Sequence, residues 1–293
     1  MKLLRAATLT VADLDAAEAL YRDYLDYTTV SRGTLGADLA EAFNAPKSAG
    51  ARSLVMAPAS GAEIYLRLVE QKPVPEYKPL TTYGWNSIEI CVQDVLAAHE
   101  RIKASPFEVI GPPREIEGLP AIYPMQMKGP DGEIVYLTQI RDDLPAYDLP
   151  RATAPIDRLF ILVIGCSDMH ASLKWFDDTL GFETGRVMEI EYHMLADAFG
   201  TPKTELHTIS TGIHGRDVFL ELDQYPPAAT ERPRHEGMLV PGCCVGSFLH
   251  PDFDAIKGEW VSPPTVREGA PYNGKRSGTL RGPDGLLVEV IEL

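Results

Sequence analysis

Two stretches share one turn and differ at one residue that could do chemistry. Gly129-Pro130-Asp131-Gly132 and Gly282-Pro283-Asp284-Gly285 each open an apolar run, but the fourth residue after the second glycine is Tyr136 in one and Glu289 in the other. A carboxylate among apolar neighbours is costly to bury without a partner. Glu289 is therefore read as a general base, its pKa raised by apolar surroundings, able to abstract a proton beside a carbonyl. A surface-facing strand residue, like Glu292, is the plainer reading. Glu221 is the second candidate, and if both point inward the two acids could share a proton or one metal ion. His207 and His193, in the same half of the chain, could complete an atypical divalent metal site with Glu289, or serve as structural hydrogen-bonders. Cys243 and Cys244 have no histidine at a telling spacing and are read as buried thiols.

The elements that position these residues follow from punctuation and periodicity. Pro-Asp-Gly makes a tight turn, and the β-branched run after it is a strand. Residues 1–30 and 155–184 both run strand, aspartate, then helix. The apolar helical positions are Ala17, Leu20, Tyr21 and Leu25 in one, and Leu173, Phe176 and Leu180 in the other, with Gly181 as C-cap. Leu39-Ala40-Glu41-Ala42-Phe43 through Pro46-Lys47 matches Leu195-Ala196-Asp197-Ala198-Phe199 through Pro202-Lys203, and two strands follow each. Residues 83–141 and 237–293 repeat a second pattern of strand, helix, proline pair and closing hairpin. Four modules result, 1–72, 83–141, 155–225 and 237–293. They are expected to pair first with second (1–141) and third with fourth (155–293) across a proline-rich linker, 142–154.

The 293 residues suit about two domains, with 45% apolar and 24% charged residues and a net charge of −15. That balance argues against a nucleic-acid or anionic-membrane surface. No run approaches a membrane span or a signal peptide, and the four cysteines have no disulfide or zinc spacing, so a cytoplasmic protein is expected.

The strand, the Asp-Leu-Asp helix opening at 13–15, the aromatic helix ending Leu180-Gly181-Phe182 and the Gly-Pro-Asp-Gly hairpins resemble the vicinal oxygen chelate superfamily. That group includes glyoxalase I, bleomycin-resistance proteins and extradiol dioxygenases. The resemblance covers nearly the whole chain. It implies an α+β fold of two tandem domains, each a pair of βαβββ modules forming an eight-stranded cup around a pocket. It also implies metal ligands, a histidine or two with Glu or Gln, on the first and last strands. Those positions fall here on Ala6, Ser87, Ile161 and Val245, and on Tyr65, Tyr136, Phe219 and Glu289, with Glu221 on the face of Phe219. An insertion in the third module offers Arg158, which can contact substrate but not a cation. The usual metal triad is missing, so no metal is expected, with an atypical ion at Glu289 left open.

On that frame Tyr65, Tyr136, Tyr123, Trp85 and Tyr272 would line an apolar cup with polar tips, suited to a flat aromatic or phenolic ligand. Phe43 and Phe199 would cover the cup mouths or serve as packing anchors, and His193 would contact the ligand. Three readings stand open. One is a proton-transfer isomerase or lyase without the usual metal, with Glu289, Glu221 and His207 as catalytic groups and a small hydroxy-carbonyl or aromatic substrate. The second is a non-catalytic ligand-binding protein like those of bleomycin resistance, and the third a degenerate dioxygenase. With both cups closing within one chain, a monomer is expected, with a homodimer as the alternative.

Overall fold

The computed structural model describes residues 2–293. The first module holds β1 (Leu4–Val11), α1 (Leu14–Leu25), β2 (Tyr27–Thr34), α2 (Ala37–Ala42), β3 (Arg52–Pro58) and β4 (Tyr65–Glu70). The second holds β5 (Gly84–Val92), α3 (Val95–Lys103), β6 (Glu108–Gly111), β7 (Ile122–Lys128) and β8 (Ile134–Ile140). In the third come β9 (Ile156–Cys166), α4 (Met169–Leu180), β10 (Glu183–Thr184), β11 (Met188–Glu191), α5 (His193–Phe199), β12 (Leu206–His214) and β13 (Asp217–Gln224). The fourth is β14 (Gly242–His250), β15 (Trp260–Val266), β16 (Arg276–Arg281) and β17 (Leu287–Glu292). Its expected helix is only a 3-10 turn, Phe253–Ala255.

Local chemistry starts the helices where the sequence suggests. The Asp13 carboxylate accepts from the backbone N–H of Asp15 and Ala16, Asp94 from Leu96 and Ala97, and Asp168 from Ala171. Each such cap stabilises its helix by about 1 kcal/mol. Gly181 closes α4 in the left-handed conformation.

The modules do not pair as tandem neighbours. One sheet runs β15-β16-β17-β14-β1-β4-β3-β2 and the other β10-β12-β13-β9-β5-β8-β7-β6, with β11 added on β12. The first cup therefore joins modules one and four through the antiparallel β1/β14 pair, and the second joins two and three through β5/β9. The expected division into 1–141 and 155–293 is corrected: each of those halves contributes one module to each cup. All four first strands are almost wholly buried and mostly apolar, so their composition cannot say which edge seeks which.

Tandem neighbours do touch, but through their turns. Asp131, in the second module's turn, accepts from Ala12 N at the end of β1 (2.9 Å). Asp284, in the fourth module's turn, accepts from Ser167 N (2.9 Å) and Ser167 Oγ (2.6 Å). One large apolar core joins α1, α3 and α4 to residues of both sheets, while separate smaller clusters line the two cups. Trp85 locks the sheets together. It packs on Phe248 with the rings tilted by 33°, donates from Nε1 to Leu287 O (2.7 Å), and lies so close to Gly246 that a Cβ there would meet its ring at 2.6 Å.

Candidate functional site

Each cup presents a buried polar cluster, and the two clusters differ in charge. In the cup of modules one and four, parallel pairing sets Tyr65 beside Ala6 and Glu289 beside Ser247, with Thr279 across from Glu289 on β16. Glu289 is 1% exposed. Its Oε2 accepts from Ser247 Oγ (2.6 Å) and its Oε1 from Tyr272 OH (2.7 Å). The buried Arg67 guanidinium, from β4, stands 3.8 Å from Glu289. It donates to Tyr272 OH (2.6 Å) and Thr8 Oγ1 (3.1 Å). Its charge sits between the rings of Phe43 and Tyr272, 5.5 and 5.4 Å from their centroids. Arg267, held by Ser277 and Asp38, approaches the Tyr272 ring as well. Burial pushes the Tyr272 hydroxyl far above the usual phenol range, so it stays a donor. Thr279 Oγ1 is buried without a partner among the described residues.

Glu289 thus points into a cup, as the resemblance implied, but its surroundings correct one expectation. It is not an isolated acid in apolar walls: two hydroxyls and a guanidinium surround it. Nor does it meet Glu221, which belongs to the other cup, so no proton or metal ion is shared between them. Tyr272 is a direct partner. Tyr65 forms the wall under the Arg5 guanidinium, 5.0 Å from its centroid.

The cup of modules two and three is acidic. Glu89 on β5 lies in register with Tyr136 on β8, and Glu221 on β13 with Val163 on β9. Glu89 accepts from Thr138 Oγ1 (2.5 Å). Tyr136 OH and Tyr192 OH share a hydrogen bond (2.7 Å), and Tyr192 OH lies 3.1 Å from Glu221 Oε1. Asp223 is wholly buried; its carboxyl meets that of Glu221, and no other group among the described residues donates to it. Burial, reinforced by the Glu221 charge, pushes Glu89 up to about 8 and Asp223 well above the carboxylate range, and burial raises Glu221 too. His207 is on β12, in step with Ile209 of the cup lining, its ring 6.5 Å from that of Tyr192. Burial lowers its pKa, which keeps the ring neutral. Phe199, at the end of α5, meets Tyr225 edge-on at 5.6 Å.

Several expected site residues stand elsewhere. Trp85 is the structural lock between the sheets. Tyr123 shares its strand face with Met125 and Met127 of the large core and lies under Arg141, 3.6 Å from its guanidinium. His193 is at the solvent-facing start of α5 beside Glu191 (3.4 Å). Arg158 lines a cavity of about 260 Å³ between the sheets, with Lys2, Arg5 and Glu63, rather than either cup. Phe219 faces the large core and packs on Phe182 and Phe248, because a bulge beside it in the β12/β13 pairing separates its face from that of Glu221. Registers also move the first-strand positions: Ser247, Glu89 and Val163, rather than Val245, Ser87 and Ile161, stand beside the last-strand residues Glu289, Tyr136 and Glu221. Glu89, Asp223, Arg67 and Tyr192 were missed. A signal existed for Glu89, an acid inside the apolar run 88–92, the same sign that marked Glu289.

The fit to a divalent metal is poor in both cups. Around Glu289 the other groups are hydroxyls, an alanine and a guanidinium, whose charge repels a cation from that carboxylate. Among the described residues no three His, Cys, Asp or Glu side chains are spaced to hold one ion. The thiols offer no nucleophile: burial pushes Cys243 up to about 12 and Cys244 higher. No helix among the described residues is long and apolar enough to cross a membrane.

No protein-family model matches the sequence, and no curated protein matches it. Among solved structures, glyoxalase I from Zea mays is similar with a TM-score of 0.65 and 18% identity, covering 100% of this chain and 92% of that one. A candidate dioxygenase from Bacillus subtilis subsp. subtilis str. 168 gives 0.64 and 13%, covering 99% and 86%. The likeness is one of fold. The chain has the vicinal oxygen chelate fold, in a form with four modules in a single chain.

Proposed function

We propose that the cup of modules one and four takes a small hydroxy-carbonyl or aromatic hydroxy compound and moves a proton on it. The supporting observation is the buried chain Arg67–Tyr272–Glu289, in which a carboxylate and a cation meet on one tyrosine hydroxyl. Glu289 would take a proton from the carbon beside a carbonyl, and the C–H electron pair would pass to the carbonyl oxygen as an enolate. Arg67 and Tyr272 are donors suited to that developing charge, supplying from the protein the electrostatic stabilisation such a step requires. Return of the proton to the same or the neighbouring carbon completes an epimerisation or isomerisation. Thr279, with its free hydroxyl beside Glu289, is available to hold a second substrate oxygen.

The test is solvent exchange in deuterium oxide, followed by proton NMR over a series of small α-hydroxy aldehydes, α-hydroxy ketones and phenolic ketones. Loss of the α-proton signal above the buffer rate, abolished in Glu289→Gln while binding stays within a few-fold, is the expected result. Equal exchange in the variant sinks the proposal. A second reading, ligand binding without turnover, is favoured by one observation: both Glu289 oxygens already accept from protein hydroxyls. Saturable binding with no exchange in the wild-type protein would establish it.

A further inference from the structure

The acidic cup is not used by that reading and stands independently of it. We propose that the cup of modules two and three is a binding site for a small organic ammonium ion, seated on Glu89, Glu221 and Asp223 between aromatic side chains.

Three buried carboxyl groups come together there from two strands, and among the described residues none has a basic side chain as a hydrogen-bond or ion-pair partner; so placed, they hold protons until a cation compensates the charge. Protein donors reach only part of the cluster. Thr138 serves one oxygen of Glu89, and Tyr192 serves one oxygen of Glu221. Asp223 meets the Glu221 carboxyl, within reach to share a proton with it, and receives no other donor among the described residues. Beyond the acids, the Tyr225 hydroxyl and His207 Nε2 have no partner among the described residues and stand on residues 2% and 5% exposed. Tyr225 belongs to the cup lining, and its hydroxyl feels the Asp223 charge. Such unpaired buried groups call for a polar ligand. An arriving cation would let these carboxyls ionise, their protons passing to water, and so turn them into its acceptors.

The walls choose the kind of cation. Tyr136, Tyr192, Tyr225 and Phe199 border the cluster, and aromatic faces attract an ammonium while offering a metal ion nothing. An alkylammonium carries N–H donors for Asp223 and Glu221 and an apolar body for Ile161, Val163 and Ile209. The segment from Tyr192 to Phe199 packs on this cup and brings two of these rings to it.

Calorimetric titration of the intact protein with phenethylammonium, cyclohexylammonium and butylammonium chlorides, beside 2-phenylethanol, magnesium chloride and manganese chloride, tests the assignment. One site per chain for at least one ammonium, with no heat from the neutral alcohol, is expected. Asp223→Asn should weaken it by about tenfold to a hundredfold, the worth of one charge-assisted hydrogen bond, and Glu89→Gln should weaken it in the same direction. Both substitutions are isosteric and relieve buried charge, and circular dichroism identifies any that fails to fold. Equal binding of alcohol and amine, binding of manganese in place of ammonium, unchanged affinity in both variants, or no binding of any ammonium at millimolar concentration would each overturn the proposal.

Discussion

Removing the Arg67 guanidinium gives the sharpest test of how the first cup is assembled, because its partner comes from the far end of the chain. Arg67 and Glu289 are 4% and 1% exposed, with 3.8 Å between Nη1 and Oε2. At an effective dielectric of about 20, two unit charges at that separation attract by about 4 kcal/mol. Breaking such a buried pair from one side usually costs about 3–5 kcal/mol, since the other charge is left behind. Arg67→Met should therefore lower stability by about that much, and Glu289→Gln by a smaller amount, because the Gln oxygen can still accept from Tyr272 while its NH2 can donate to a reoriented Ser247 hydroxyl. The double variant, with neither charge, should lose at least about 2 kcal/mol less than the sum of the singles. Urea unfolding followed by tryptophan fluorescence measures all four proteins, with an unchanged m-value confirming that the midpoints are comparable. Additivity within about 0.5 kcal/mol would mean that the two residues do not meet. In that case the pairing of module one with module four would be refuted along with the site.

Other consequences are open to measurement. Glu89 is raised from the ordinary 4.5 to about 8, and Glu133, also buried, to about 8. A folded-state pKa above the unfolded one favours the native state fully below about pH 4.5 and loses that contribution as pH rises through about 8. The urea midpoint should fall over this window, and less steeply in Glu89→Gln; identical slopes would show that Glu89 does not carry its part. Residues 83–225, which retain both strands of the β5/β9 pair, should unfold cooperatively as an isolated fragment, whereas 1–141 should not. The reverse outcome would restore the tandem pairing.

Much of the frame was legible because it is local. Capping aspartates, the Pro-Asp-Gly turns and helical periodicity are written within a dozen residues of each element, and the internal repeat exposed the four modules. Partner choice was not legible, since β1, β5, β9 and β14 are all apolar strands and pairing depends on edges brought together from distant parts of the chain. The site divided the same way. Glu289 stood out as an acid in an apolar run, and Tyr272 was found among the aromatic residues. Arg67 was hidden, because an arginine on a strand reads as solvent-facing until Thr8, Tyr272 and Glu289 are seen around it. Phe219 and Glu221 were placed on one face by simple alternation, which a single bulge undoes. Counting back from the capping aspartate missed Glu89 by two residues, since the strand-to-helix spacing varies between modules.

That the modules of one cup lie, in sequence, between those of the other has a consequence for how the chain is made. As a ribosome delivers it, the inner pair of modules is complete and can close while the fourth is still unmade. β1, buried along its whole length in the finished protein, must wait for β14, and some 230 residues separate Val11 from Gly242. At ordinary rates of synthesis that is roughly 10 to 50 s during which an apolar edge has no mate. Capture of that edge by a neighbouring nascent copy, rather than failure of either finished cup, is the hazard this topology builds in.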